Sequence, residues 1–159
     1  MTNTSTAQTL VAERESSDPT RSLVIEREMP HSPEKIWRAL TEGQLLAQWM
    51  MKNDFEPLVG RKFQFRADPM PNWNGVVDCE VVTVEPFQRL SYLWGVGGGE
   101  AAGGLQWVVL WTLTPSESGT RVRMEQSGFT ADQQAAYQGA KYGWQKFFGA
   151  LEGVLAELR

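Results

Sequence analysis

His31 is the only histidine in this 159-residue chain, and Cys79 is the only cysteine. Any Ser-His-Asp or Cys-His relay would have to run through His31. That residue sits between Pro30 and Ser32, just ahead of a helical pattern, and reads as a plain loop residue near the surface. A histidine and a cysteine 48 positions apart make no metal-ligand motif, so no metal and no other cofactor is expected. Asp78 and Glu80 share one strand face, as do Arg121 and Arg123. Carboxylates at i, i+2 can act as an acid/base pair. The solvated side of an antiparallel sheet with cross-strand ion pairs uses the same residues and is the simpler reading.

The stretch GVGGGEAAGG, residues 95–104, looks at first like a phosphate loop. It has no following Gly-Lys-Ser/Thr, and Gly95, Gly97 and Glu100 break the G-x-G-x-x-G spacing. A strand pattern follows it rather than a helix, so no helix N-terminus is there to hold an anion. It reads as a mobile connection between two strands, either a lid over a cavity mouth or an unconstrained hairpin loop. Trp73, in the Pro-rich stretch DPMPNWNG, is either an exposed anchor for a ligand or partner, or folded back on the sheet.

The remaining chemistry is aromatic. Seven tryptophans are many for a chain of this size, and each buried indole N–H wants a partner. The residues expected to line an apolar interior are Trp49, Phe63, Phe65, Cys79, Tyr92, Trp94, Trp111, Met124, Trp144 and Phe148. A ligand pocket is mostly apolar with a few polar groups. A filled core would use the same residues, so both readings stay open. An enzyme would need an inward polar group, for which Tyr92, Glu80, Gln126 and Tyr142 are the candidates.

Composition narrows the classes. The formal net charge is −4 and no basic run occurs, so the electrostatic footprint of a nucleic-acid binder is absent. One cysteine excludes an internal disulfide framework and points to the cytoplasm. No apolar run approaches the roughly 20 residues of a membrane span. Residues 1–21 lack a basic start and an apolar block, so they read as a mobile polar tail rather than a signal peptide. A single domain is expected over residues 22–159.

The elements that must position these side chains follow from periodicity. SLVIEREM alternates as a first strand. Ser32 fits an N-cap with Pro33 at the first helical position, and Ile36, Trp37 and Leu40 continue at helical spacing. Thr41 with Gln44 fits a capping box for a second short helix. RKFQFRA, NWNGVVDCEVVTVE, RLSYLW, LQWVVLWTLTP and GTRVRMEQSG then read as strands, with Asn74-Gly75 as a hairpin signal. LQWVVLWTLTP is apolar on both faces, as a central strand would be. Thr130 with Gln133 fits a further capping box ahead of a long C-terminal helix.

On that helix Tyr137, Ala140, Trp144, Phe147, Phe148, Leu151, Val154, Leu155 and Leu158 fall within roughly 120° of arc. Gly139, Gly143, Gly149 and Gly153 gather on another arc, centred roughly 140° away. There they either admit a close neighbour or lie on a solvated face. The order of elements is α+β, with an antiparallel sheet and one long helix to cover it.

The stretch IEREMPHSPEKIWRALTEGQLLAQWM resembles the opening of the family named for the activator of Hsp90 ATPase homologue, at Pro33, Trp37, Thr41, Glu42 and Trp49. VVTVEPFQRLSYLW resembles that family's central signature at Pro86, Arg89, Leu90 and Trp94. The last strand pair and GWQKFFGALEGVL match at Gly119, Thr120, Gly143 and Trp144. The likeness spans roughly residues 22–158. It implies the helix-grip fold of the START-like, Bet v 1-like (polyketide cyclase-like) superfamily, in which an antiparallel sheet wraps around a long C-terminal helix. A hydrophobic cavity often lies between the two.

The function expected is non-catalytic binding of a small hydrophobic or aromatic molecule in that cavity. One alternative is a cyclase/aromatase- or hydrolase-like enzyme on an apolar substrate. Another is an interaction module, either a homodimer or an associate of an Hsp90-type chaperone. The chaperone follows from the family name alone, because the separate Hsp90-binding domain of the eukaryotic co-chaperones is not part of this sequence.

Overall fold

The computed structural model describes residues 10–15, 20–71, 73–96 and 105–158, with side chains from Thr20 onward. The chain order is β1 (Leu10–Glu15), β2 (Thr20–Met29), α1 (Pro33–Thr41), α2 (Gly43–Trp49), β3 (Lys52–Asn53), β4 (Lys62–Arg66), β5 (Val76–Glu85), β6 (Arg89–Val96), β7 (Leu105–Ser116), β8 (Gly119–Thr130) and α3 (Gln134–Glu157). The strands form one antiparallel sheet in the order β1-β2-β8-β7-β6-β5-β4-β3. Hairpin neighbours therefore stay adjacent, except that β2 crosses to pair with β8. The α1–α2 pair follows β2, and α3 packs across the inner face. This is the helix-grip α+β arrangement.

The N-terminal stretch departs from the sequence reading. Leu10–Glu15, expected within a mobile tail over residues 1–21, pairs with β2 in register from Leu10↔Glu26 to Glu15↔Arg21. Thr20 and Arg21 belong to β2 itself. Without β1, β2 would present a row of unpaired backbone groups at the sheet edge. The polar composition of the segment concealed this backbone demand.

Two capping expectations also change. Ser32 caps α1 as expected, accepting from Lys35 N–H at 3.1 Å with Pro33 behind it. Thr41 is instead the last residue of α1, and its hydroxyl donates to the Trp37 carbonyl at 2.7 Å. Glu42 stands between the two helices and makes no side-chain cap bond. Thr130 is held at the end of β8 by pairing with Thr20. Only half of its box therefore forms, as Thr130 N–H donates to Gln133 Oε1 at 3.0 Å.

Two glycines position the turns. Gly75 has a φ of +85°, and a Cβ there would lie 2.3 Å from the Ala67 carbonyl oxygen. The link between β4 and β5 thus runs through residues 67–75 and is longer than a two-residue hairpin. A Cβ on Gly119 would lie 2.2 Å from the Met29 carbonyl oxygen. The β7–β8 turn consequently seats against the corner entering α1, where Thr120 Oγ1 donates to the His31 carbonyl at 2.7 Å.

Alternation sends Phe63 and Phe65 of β4, Val77, Cys79 and Val81 of β5, Tyr92 and Trp94 of β6 and Trp111 of β7 to the inner face, all buried. From α3, Tyr137, Trp144, Phe148, Leu151 and Leu155 meet them. The closest backbone approaches of α3 are to α2, α1, β2 and β8. Between α3 and strands β4–β6 the space is spanned largely by side chains.

Candidate functional site

The register builds the site in rows. Phe63, Cys79, Trp94 and Trp107 lie side by side across β4, β5, β6 and β7. Val81, Tyr92, Val109, Gln126 and Leu23 form the next row, and Leu90, Trp111, Met124 and Ile25 the one after. All the lining residues expected from sequence are buried in one cluster. Their rings touch in sequence: Phe63 to Phe65 (5.3 Å between centroids), Phe65 to Trp94 (5.6 Å), Trp94 to Trp144 (5.2 Å), Trp144 to Trp111 (5.7 Å) and Trp111 to Trp49 (5.8 Å). Phe148 stacks on Trp111 at 5.5 Å. Offset and edge-on ring pairs of this kind add about 0.5–1.5 kcal/mol each beyond area burial.

Sequence reasoning missed Phe55, which lies in the link after β3 and packs edge-on against Phe63 at 5.0 Å. No period marks a single aromatic in a loop. Phe147 was placed on the helix face but not in the lining. It is half-buried and meets Trp49 at 6.4 Å and Trp144 at 5.4 Å. Trp73 folds back, half-buried against the core, with its indole N–H donating to the Val76 carbonyl at 3.0 Å.

Two of the inward polar groups, Tyr92 and Gln126, are neutral, while the Arg27 guanidinium lies 5.4 Å from the Phe148 ring centre and pairs with Glu152 of α3 at 2.9 Å. Trp111 Nε1–H donates to Tyr92 Oη at 3.0 Å, and Trp144 Nε1–H donates to Gln126 Oε1 at 2.6 Å. Burial pushes the Tyr92 phenol far above its ordinary range, against the opposing pull of the Trp111 hydrogen bond. Burial likewise raises the Cys79 thiol, with smaller contributions from Asp78 and Asp54, so it stays protonated at neutral pH and is a poor nucleophile.

Of the four polar candidates for an inward group, only Tyr92 and Gln126 face the interior. Glu80 lies half-buried on the opposite face of β5 from Cys79. Tyr142 is 69% exposed, with the Lys146 ammonium 5.3 Å from its ring centre. It sits off the buried stripe of α3, which Trp144 and Phe148 occupy.

The outer charges follow the structural reading in part: Arg121 forms a cross-strand ion pair, whereas Arg123 pairs with Glu125 of its own strand at 3.1 Å and Asp78 meets the neutral Gln64. Arg121 pairs with Glu28 at 3.1 Å across the β2–β8 ladder. Glu28 also accepts from Ser116 at 2.7 Å, and that hydrogen bond is the main reason its carboxyl sits below the usual range. Asp78 accepts from Gln64 at 2.7 Å. His31 is half-buried, with its Nδ1 3.2 Å from the Lys35 ammonium. Burial first, then Lys35, lowers its pKa, while Glu152 opposes the shift. Among the described residues no cluster of three His, Cys, Asp or Glu side chains is arranged to hold a metal. Most of the glycine-rich stretch, read either as a lid or as an unconstrained hairpin loop, falls at residues 97–104 and lies outside the described residues. No helix among the described residues is long and apolar enough to cross a membrane.

A separate surface cleft of about 440 Å³ opens at the start of α1, bounded by Pro33, Phe87 and Leu113. Phe87 holds a φ of +69° in the turn between β5 and β6. Its ring packs edge-on against Trp37 at 6.2 Å.

Comparison with known proteins agrees with this architecture. The profile of a family described as activator of Hsp90 ATPase homolog 1-like protein matches residues 30–156. The crystal structure of protein MLL2253 from Mesorhizobium loti is 51% identical, covering 86% of this chain and 98% of that one, with a TM-score of 0.78. CalU16 from Micromonospora echinospora is 17% identical over 93% of this chain and 86% of its own, with a TM-score of 0.73. DynU16, a protein in the dynemicin biosynthetic locus, is 26% identical over 87% of this chain and 48% of its own, with a TM-score of 0.68. No curated protein matches the chain.

Proposed function

The chain belongs to the activator of Hsp90 ATPase homolog 1-like family, and from that footing we propose that it binds a small hydrophobic or aromatic molecule between its sheet and α3 without converting it. The observation that carries this reading is the composition of the interface between α3 and β4–β6. Among the strands, β2 and β8 lie closest to the backbone of α3. The other side is filled by flat rings, with Trp94 of β6 meeting Trp144 of α3 at 5.2 Å. Ring-against-ring contacts can be exchanged for ring-against-ligand contacts with little loss, because an apolar planar ligand offers the same surface. A relative located in a biosynthetic locus fits a small-molecule role.

The residues assigned to the lining are Trp49, Phe63, Phe65, Cys79, Tyr92, Trp94, Trp111, Met124, Trp144 and Phe148. Catalysis is not assigned: the inward polar groups include a phenol held protonated, a carboxamide and the Arg27 guanidinium, which is paired with Glu152. The single buried cysteine suits a reducing compartment, which supports placement in the cytoplasm.

Native mass spectrometry of the freshly purified protein, with a denatured control, tests the reading. An apolar molecule that copurifies and is released on denaturation is the expected result. Failure of both copurification and of a hydrophobic dye to bind the folded protein would count against it.

A further inference from the structure

Gln88 N–H donates to the Glu85 carbonyl at 2.9 Å, which closes the turn between β5 and β6 with Pro86 and Phe87 at its centre. Phe87 holds a φ of +69° there. Glycine is the usual residue at such a position, and a bulky side chain strains the backbone. The ring stays 44% exposed and forms one wall of the cleft of about 440 Å³ at the start of α1. Pro33, Leu113 and Pro115 complete the apolar lining. No residue of α3 and none of the residues assigned to the interior lining bounds this cleft, so it is separate from the site proposed above.

The charges on its rim do not cancel. Arg89 is engaged by Glu85 at 2.7 Å. Glu34, exposed in the first turn of α1, makes no ion pair or side-chain hydrogen bond among the described residues. The cleft therefore offers a carboxylate without a counter-ion and an exposed aromatic ring. Both attract a cation, and a planar guanidinium suits both, because it stacks on rings and forks to carboxylates. The cleft is also open. Glu34, Phe87, Thr114 and Pro115 are all exposed, whereas a site for a free small molecule buries roughly 70–90% of its ligand. A side chain carried by another protein brings its own backbone to cover the rim.

We propose that this cleft receives an arginine side chain of a partner protein, with the guanidinium on Phe87 and paired with Glu34, and the aliphatic stem against Pro33 and Pro115. The strained turn holds the ring where the guanidinium arrives. Nothing in this assignment depends on what the interior binds.

The test is an NMR chemical-shift titration of the full chain with three probes: the peptide acetyl-Ala-Gly-Arg-Gly-Ala-amide, its counterpart with neutral citrulline in place of arginine, and butylguanidinium. The arginine peptide is expected to shift the amides of Phe87, Gln88 and Leu113, and to bind about threefold or more tighter than the citrulline peptide. Glu34→Gln removes that preference. Phe87→Gly relieves the turn while deleting the wall, so the arginine peptide is released without a fall in Tm. Should Phe87→Gly fail to fold, the surface variant Glu34→Gln decides the matter.

No shift at these amides, equal binding of the arginine and citrulline peptides, or unchanged binding in either variant overturns the proposal. Butylguanidinium binding as tightly as the arginine peptide overturns the protein partner and leaves a site for a free small cation.

Discussion

Glu28 and His31 sit at opposite ends of the same short stretch, and both couple folding to pH. The Glu28 carboxyl titrates below its ordinary value of 4.5, chiefly because Ser116 donates to it and then because of Arg121. Its ionised form is favoured in the folded chain. The stability it contributes is complete above the unfolded value and is lost as pH falls through the folded one. His31 titrates below its ordinary 6.5 because burial and Lys35 disfavour the imidazolium. The unfolded chain therefore takes up that proton first, and stability declines as pH drops from above 6.5 toward the lower folded value. Urea denaturation between neutral and mildly acidic pH is expected to show this decline, and His31→Asn to flatten it. Glu28→Gln is expected to flatten the further loss below 4.5 instead. An unchanged profile in either variant removes that group as a source of the pH dependence.

At the scale of elements, α3 explains why a helix rich in glycine is tolerated. Tyr137, Trp144, Phe148, Leu151 and Leu155 bury one face. A Cβ added at Gly139, Gly143, Gly149 or Gly153 would meet nothing within 4 Å. Among the described residues nothing packs against those glycines, so alanine at each should raise stability by up to about 1 kcal/mol through helix propensity alone. Thermal melting of the fourfold alanine variant is expected to show an increase in Tm. A decrease would mean that a neighbour, such as a second copy of the chain, needs that face bare. The turns behave oppositely. Gly75→Ala forces a Cβ against the Ala67 carbonyl and places a side chain at positive φ. It should destabilise by more than about 1 kcal/mol, read as a lowered midpoint in urea.

For the molecule as a whole, the order of elements and the inner face were legible in the sequence, because both are periodic. Strict alternation identifies Phe63 and Phe65, or Cys79 beside Asp78 and Glu80, with no knowledge of partners. A period of 3.6 identifies the stripe from Tyr137 to Leu155 in the same way. Three things were not legible, because each depends on what another segment does. Leu10–Glu15 is a strand only because β2 offers it an edge. Thr41 turns its hydroxyl back to Trp37, and Thr130 stays in β8, because their backbones are claimed by neighbouring elements. Phe55 joins the ring cluster from a link that carries no pattern. The amino-acid sequence by itself determined the family, the helix-grip architecture and which side chains face inward, since these follow from local periodicity and motif order. Only the tertiary structure decided that Trp111 and Trp144 spend their indole protons on Tyr92 and Gln126. Those contacts join residues 19 and 18 positions apart, and no local pattern encodes them.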